Sequence, residues 1–291
     1  MQKIGTSVTL KFHEANIIPT LFYGCETWSL DSKEASLIER IDLWALKKIF
    51  GLPPTTPTPA IRYVTGTLFT DIHIKKAQLI YLQSLLQKEN GYLAKGSLLT
   101  LKENKNGWAK NIAKTLEQWG LEQDWDCITA ISKPAWKREV EKAAEIQNKN
   151  RLMEECQSRS RGTSRVKTKT KTIAEKLKMD NYKRIPLPMI RNLTSMQTRA
   201  LIMGRYGMLD CRNNYAMKYG GKVCPECDTV DDEAHRINDC IKYRGVNGFG
   251  RGENIDFEMI YSDVMCEATT VINAILSVWD LEHGKNVIKS V

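Results

Sequence analysis

The sequence predicts a mainly α protein: a helical bundle, then a basic linker, then a small helical C-terminal region built around a cysteine–histidine cluster. Three observations carry this. Apolar residues recur at helical spacing in five separate stretches. Several of these stretches are bounded by residues that start or stop helices. The one period-two stretch, RVKTKTKT at 165–172, lies in a polar, basic segment and reads as linker, with an edge strand as its alternative. No internal repeat is visible.

Residues 31–50 carry signals at both ends. Asp31 stands at the N-cap with Glu34 three residues on, and Leu37, Ile38, Ile41, Trp44, Ala45 and Ile49 form the expected inner face. Gly51 sits where a left-handed C-cap belongs, with Pro53 and Pro54 beyond it. Upstream, IIPTLFYGCETW is an apolar stretch with Pro19 as a helix start and Gly24 as a break; downstream, GLPPTTPTPA reads as a stiff loop. A second helix is expected over 70–88, with Ile72, Ala77, Ile80 and Leu85 inward. A third spans 107–119 on Trp108, Ile112, Leu116 and Trp119, and ends at Gly120. A charged helix follows from Pro134 to about Cys156, with Glu145 and Lys149 as a favourable pair. The last helix is expected over 255–280, with Met259, Ile260, Val264, Ala268, Val271, Ile275, Leu276 and Trp279 on one face. GVNGFGRG, at 245–252, is a flexible connection before it.

The net charge of +9 on 291 residues has one address. Residues 159–191 hold eleven basic side chains against Glu175 and Asp180, and the remaining chain is neutral. Such a segment fits phosphate contacts that position a nucleic acid without specifying its sequence. The candidate contacts are Arg159, Arg161, Arg165, Lys167, Lys169, Lys171 and Arg184. A solvated linker or an import signal is the plainer alternative. No signal peptide and no apolar run of about 18 residues is present, so no membrane span is expected. Cysteines 25, 127, 156, 211 and 266 are scattered, which fits a reduced, intracellular compartment better than a disulfide framework.

Three of the eight cysteines and one of the four histidines fall within 17 residues, as Cys224-x2-Cys227-x7-His235-x4-Cys240. Pro225 presets the turn that keeps the first two sulfurs on one side. Three thiolates and one imidazole complete a closed tetrahedral sphere, which points to one structural zinc ion and not to a catalytic one. Between the first and last ligand lie Glu226, Asp228, Asp231, Asp232, Glu233 and Asp239 against Arg236 alone. That formal −5 predicts a cluster that repels phosphate and holds the C-terminal fold together, tying the TRALIMGRYGM stretch at 198–208 to the final helix. No phosphate-binding glycine loop, nucleophile triad or small-molecule site is expected. His13, His73 and His283 read as surface or packing residues.

Two stretches resemble a known family. IIPTLFYGCETWSL with the capped helix and LKKIFGLPPTTPTPAIRYVTG is similar to the thumb of non-LTR (LINE-type) retrotransposon reverse transcriptases. The cluster preceded by TRALIMGRYGM is similar to the C-terminal zinc-binding region of the same proteins, and both stand in the family's order. The resemblance implies a thumb-like helical region at 1–92 and a C-terminal region at 186–291 with its zinc segment at 222–244; between them the chain's own pattern gives a helical connection at 93–158 and a basic linker at 159–185. It also implies RNA or DNA as partner, together with a fingers–palm portion. The palm carboxylates of a polymerase are missing: the sole Asp-Asp pair, Asp231-Asp232, lies inside the cluster. The chain is therefore expected to be catalytically incomplete. The rival reading is a stand-alone helical zinc scaffold for a protein partner.

Overall fold

The computed structural model describes residues 4–104, 107–157, 190, 192–243, 255–256, 259–260 and 265–282. It is mainly α, and among the described residues the only β pairings are two isolated bridges, Gly5 with Thr194 and Val223 with Val230. The chain opens with α1 (Thr6–Phe12), which runs on through a π-helical turn at His13–Ile17 and a further turn at Ile18–Leu21. It continues with α2 (Ser32–Ile49), α3 (Thr58–Thr65), α4 (Thr70–Leu86), α5 (Leu93–Glu103), α6 (Gly107–Trp119), α7 (Trp125–Ala130) and α8 (Lys133–Gln157). Beyond the basic segment come α9 (Ser195–Arg205), the short α10 (Ala216–Tyr219) and α11 (Met265–Glu282).

The expected helix ends are largely found. Asp31 accepts from Lys33 N and Glu34 N at 2.8 Å, while Glu34 accepts the Asp31 N–H at 2.9 Å, closing the capping box. Gly51 and Gly120 hold φ of 61° and 63°, the left-handed conformation that stops α2 and α6. Of the range expected for the last helix, Ile255–Asp256 and Met259–Ile260 lie outside α11, and Val264 lies outside the described residues. The last three residues of GLPPTTPTPA, Thr58, Pro59 and Ala60, belong to α3 and not to a loop. Pro59 sits in the first turn, where a missing N–H costs nothing, so the prolines open this helix.

α4 is the central strut. It packs against α2, α6, α7 and α8, and buries Ile72, Leu79, Leu82, Leu85 and Leu86 around its circumference. A helix covered on several sides needs its polar groups answered locally. Gln83 donates to the carbonyls of Ile128 and Ile131, Gln78 donates to that of Trp28, and the Trp136 indole donates to Leu79 O at 2.9 Å. The buried Asn148 of α8 accepts the Phe69 N–H at 3.1 Å and so caps the start of α4. One apolar core runs from Leu10 to Ile275. The first helices and the segment that opens α9 meet in it: Thr6 N–H donates to Leu193 O, the Thr6 and Thr198 hydroxyls bond at 2.6 Å, and Tyr206 OH reaches Pro59 O.

The inner face of α2 differs from the expected one. Leu37, Ile41 and Trp44 are exposed, Trp44 to 61%, while Asp42, Leu43, Leu46 and Phe50 are buried. The reason is an ionic cluster at the helix centre. The fully buried Arg62 of α3 contacts Asp42 at 2.5 Å and Glu39 at 2.9 Å, and donates to Thr67 at 3.1 Å. His13 Nε2 lies 2.8 Å from the other Asp42 oxygen. Burial alone would raise the Asp42 carboxyl; the Arg62 guanidinium and His13 outweigh it and hold the group below the usual carboxylate range. Orienting Asp42 inward turns Leu37, Ile41 and Trp44 to the outside. His13, expected as an ordinary surface or packing residue, is fully buried within this cluster.

Candidate metal centre

The ligand set forms in two steps. Residues 222–231 make a tight hairpin: Cys224 N–H donates to Thr229 O, Asp231 N–H to Lys222 O, and Val223 bridges Val230. Its knuckle needs a left-handed residue directly after the second cysteine, and Asp228 fills it at φ 58° while donating its N–H to Cys224 O at 3.0 Å. Aspartate is among the few side chains that tolerate this region. Next, His235–Asp239 forms a π-helical turn closed by Cys240 N–H on His235 O at 2.8 Å. That turn brings Cys240 round to the same centre as His235. The spacing predicts that the four side chains converge, but neither the π-helical turn nor the left-handed Asp228.

The four donor atoms of Cys224, Cys227, His235 and Cys240 lie within 4.8 Å of one another, and the cluster could hold one metal ion. Cys240 Sγ stands 3.8 Å from both Cys224 Sγ and Cys227 Sγ. Metal–sulfur bonds of about 2.3 Å in a tetrahedron give sulfur–sulfur edges of about 3.8 Å, far beyond the roughly 2.0 Å of a disulfide. His235 Nδ1 is held by Thr229 Oγ1 at 3.1 Å, and the buried Nε2 has no hydrogen-bond partner. A buried imidazole with one nitrogen oriented and the other left for a metal matches the chemistry of a ligating histidine. The Ile241 N–H donates to Cys227 Sγ at 3.3 Å, a bond suited to a thiolate. Burial raises the Cys240 thiol to about 12, with Cys224 and Cys227 adding to it, whereas at Cys224 the Glu226 backbone and His235 outweigh burial and bring the thiol down to about 7.

The six acidic residues of the cluster differ in their surroundings. Asp231 is buried, receives Arg236 through two bonds of 2.7 and 2.8 Å, and accepts the Arg212 N–H at 2.8 Å. Burial would raise its carboxyl; Arg236 and the Arg212 backbone hold it below the usual range. Asp232 accepts the His235 N–H, and the buried Glu233 accepts from Asn214. Only Glu226, Asp228 and Asp239 of the six are exposed, beside the exposed Lys222 and Lys242. The formal −5 is not reduced by this, since Arg236 is already counted in it, but three of the six acids are held by hydrogen-bond donors. Spacing could not reveal this, because Arg212 and Asn214 reach the cluster from outside it.

Among the described residues, two aromatic side chains near the cluster are engaged by the fold. Tyr243 is buried with Cys224, Cys240 and Val278 of α11, and Tyr219 lies between Arg212 and Lys218, 5.4 and 4.6 Å from its ring. The cluster therefore packs on α11, while α9 touches α11 directly. Arg159, Arg161, Arg165, Lys167, Lys169, Lys171 and Arg184 lie outside the described residues. Among the described residues no helix is long and apolar enough to cross a membrane. No protein-family model, curated protein or solved structure matches the chain.

Proposed function

We propose that this chain is the C-terminal portion of a non-LTR retrotransposon reverse transcriptase, catalytically incomplete by itself, that binds RNA or DNA backbone through its basic segment. The observation that carries the binding role is the segregation of charge. The whole net +9 falls within residues 159–191, between the long α8 and the last third of the chain, which holds the candidate metal centre. Counterion release from a phosphate backbone is the favourable term such a segment supplies.

In this reading the ion is zinc, bound by Cys224, Cys227, His235 and Cys240, since three sulfurs and one nitrogen at tetrahedral edges suit that metal. Bound zinc supplies a cross-link and no chemistry, because the four residues leave no open position. Tyr243 and Val278 then join the cross-linked loop to the core. The exposed apolar surface of the first helices, Val8, Phe12, Leu37, Ile41 and Trp44, supports a portion that docks on a larger body. Within IIPTLFYGCETW only Tyr23 is a large exposed apolar residue, at 86%; Phe22 and Cys25 pack on Ile74. The same apolar surface suits the rival scaffold reading equally.

The test is the salt dependence of nucleic-acid affinity. Neutralising Lys167, Lys169 and Lys171 together is expected to flatten the slope of log affinity against log salt by roughly two to three. An unchanged slope excludes these three lysines as phosphate contacts, and a wild-type chain with no measurable affinity at low salt refutes the binding role.

A further inference from the structure

A cleft of about 400 Å³ lies where α9, α11, the loop after α2 and the metal-bearing loop converge. Its walls are mostly apolar, drawn from Met203, Met208, Leu209, Ile237, Ile275 and Val278. We propose that this cleft binds a small single-chain amphiphile with an anionic head group, held by Arg199.

The argument rests on how the cations around the cleft are paired. Lys218 is bound to Asp210 at 2.9 Å and Arg236 to Asp231 at 2.7 Å. Arg199 has no such partner: among the described residues no carboxylate or carbonyl accepts from it, and its buried Nε is unanswered. What it does have is Trp279, whose ring centre stands 4.1 Å from the guanidinium carbon. Stacking fixes the plane of a guanidinium and leaves its edge donors for a carboxylate or phosphate, which it matches with two parallel bonds. Half-burial without a counter-charge is unfavourable for Arg199, and an incoming anion removes that cost. Of the two carboxylates bordering the cleft, Asp210 is engaged by Lys218 and Tyr219, and Glu233 by Asn214. Apolar walls with one oriented charge, at a few hundred Å³, describe a site for a short alkyl chain with an acidic end. Aliphatic carboxylates and alkyl phosphates share that chemistry.

The metal-loaded chain, labelled with 13C at its methionine methyl groups, tests this by NMR. Decanoate, decyl phosphate and decanol are titrated below their aggregation limits. The expected result is saturable shifts at Met203 and Met208 but not at the fully exposed Met217, with the anions binding at least tenfold tighter than decanol. The ratio of decanoate to decyl phosphate affinity identifies the preferred head group. Arg199→Gln is expected to erase the preference for anions while metal content stays unchanged. Decanol binding as tightly as decanoate in the wild type, shifts at Met217 in parallel with the other two, or no shifts at all would each overturn the proposal. These wild-type outcomes decide it even if the variant folds poorly.

Discussion

Replacing Arg62 by Met removes the guanidinium on which Asp42, Glu39 and Thr67 converge, and the structure sets the size of the effect. Glu39 keeps 16% of its side-chain surface, so water answers it in part; Asp42 keeps 1%, and no water reaches it. Breaking a buried pair by removing one partner costs about 3–5 kcal/mol. The remaining access of Glu39 and the His13 contact to Asp42 place Arg62→Met near the lower figure, about 3 kcal/mol, a large part of the roughly 5–15 kcal/mol that holds a domain together. In the wild type the Asp42 pKa is lowered, so its contribution is full above the unfolded value of about 3.9 and is lost as pH falls through the native one. In the variant burial is opposed by His13 alone, so that pKa moves up from its wild-type position; Asp42 then stabilises the fold less at neutral pH, and protonation relieves its burial. The gap between the two proteins should therefore narrow from neutral pH toward about pH 4. Urea unfolding followed by circular dichroism on both metal-loaded proteins measures this, and the metal's own pH dependence is common to both. A cost under about 1 kcal/mol, or a gap that does not change with pH, would refute the assignment of Arg62 as the counter-charge of Asp42.

The purified chain is expected to carry close to one zinc ion, with a sharp fall in Cys227→Ser; reduced wild type without bound metal sinks the metal centre. Metal uptake should release protons and weaken as pH falls, since the Cys240 thiol, raised to about 12, must ionise to ligate; calorimetry in buffers of different ionisation enthalpy reads the protons released. At Asp228, whose φ is 58°, glycine should keep or tighten metal affinity, whereas valine should weaken it by about tenfold in a chelator competition, the left-handed penalty being about 1–2 kcal/mol. Equal affinities for the two variants would mean the knuckle does not constrain the site.

The parts of this molecule legible in the sequence are those set by short spacing. Cys224, Cys227, His235 and Cys240 lie close enough in the chain that a proline turn and one π-helical turn suffice to assemble them. The capping box at Asp31 and the glycines at 51 and 120 act within a few residues of themselves. α3 is not legible because proline opens helices as well as loops, whereas the Thr194–Gln197 capping box marks the start of α9 within four residues. α5 and α7 are short and carry few buried residues, which leaves little periodicity to read.

The sequence by itself determined the helical class, the cysteine–histidine cluster that could hold a metal ion, several helix limits and the placing of all net charge in one segment. Only the tertiary structure decided which face of α2 turns inward, which donors hold the acids beside the cysteine–histidine cluster, and that Arg199 stacks on Trp279 at the edge of an apolar cleft. The reason is the range of the forces involved. Caps, turns and knuckles are satisfied by neighbours in the chain, whereas a buried charge takes its place from a counter-charge that folding brings from afar. Asp42 meets Arg62 twenty residues away, and Arg199 meets Trp279 eighty away.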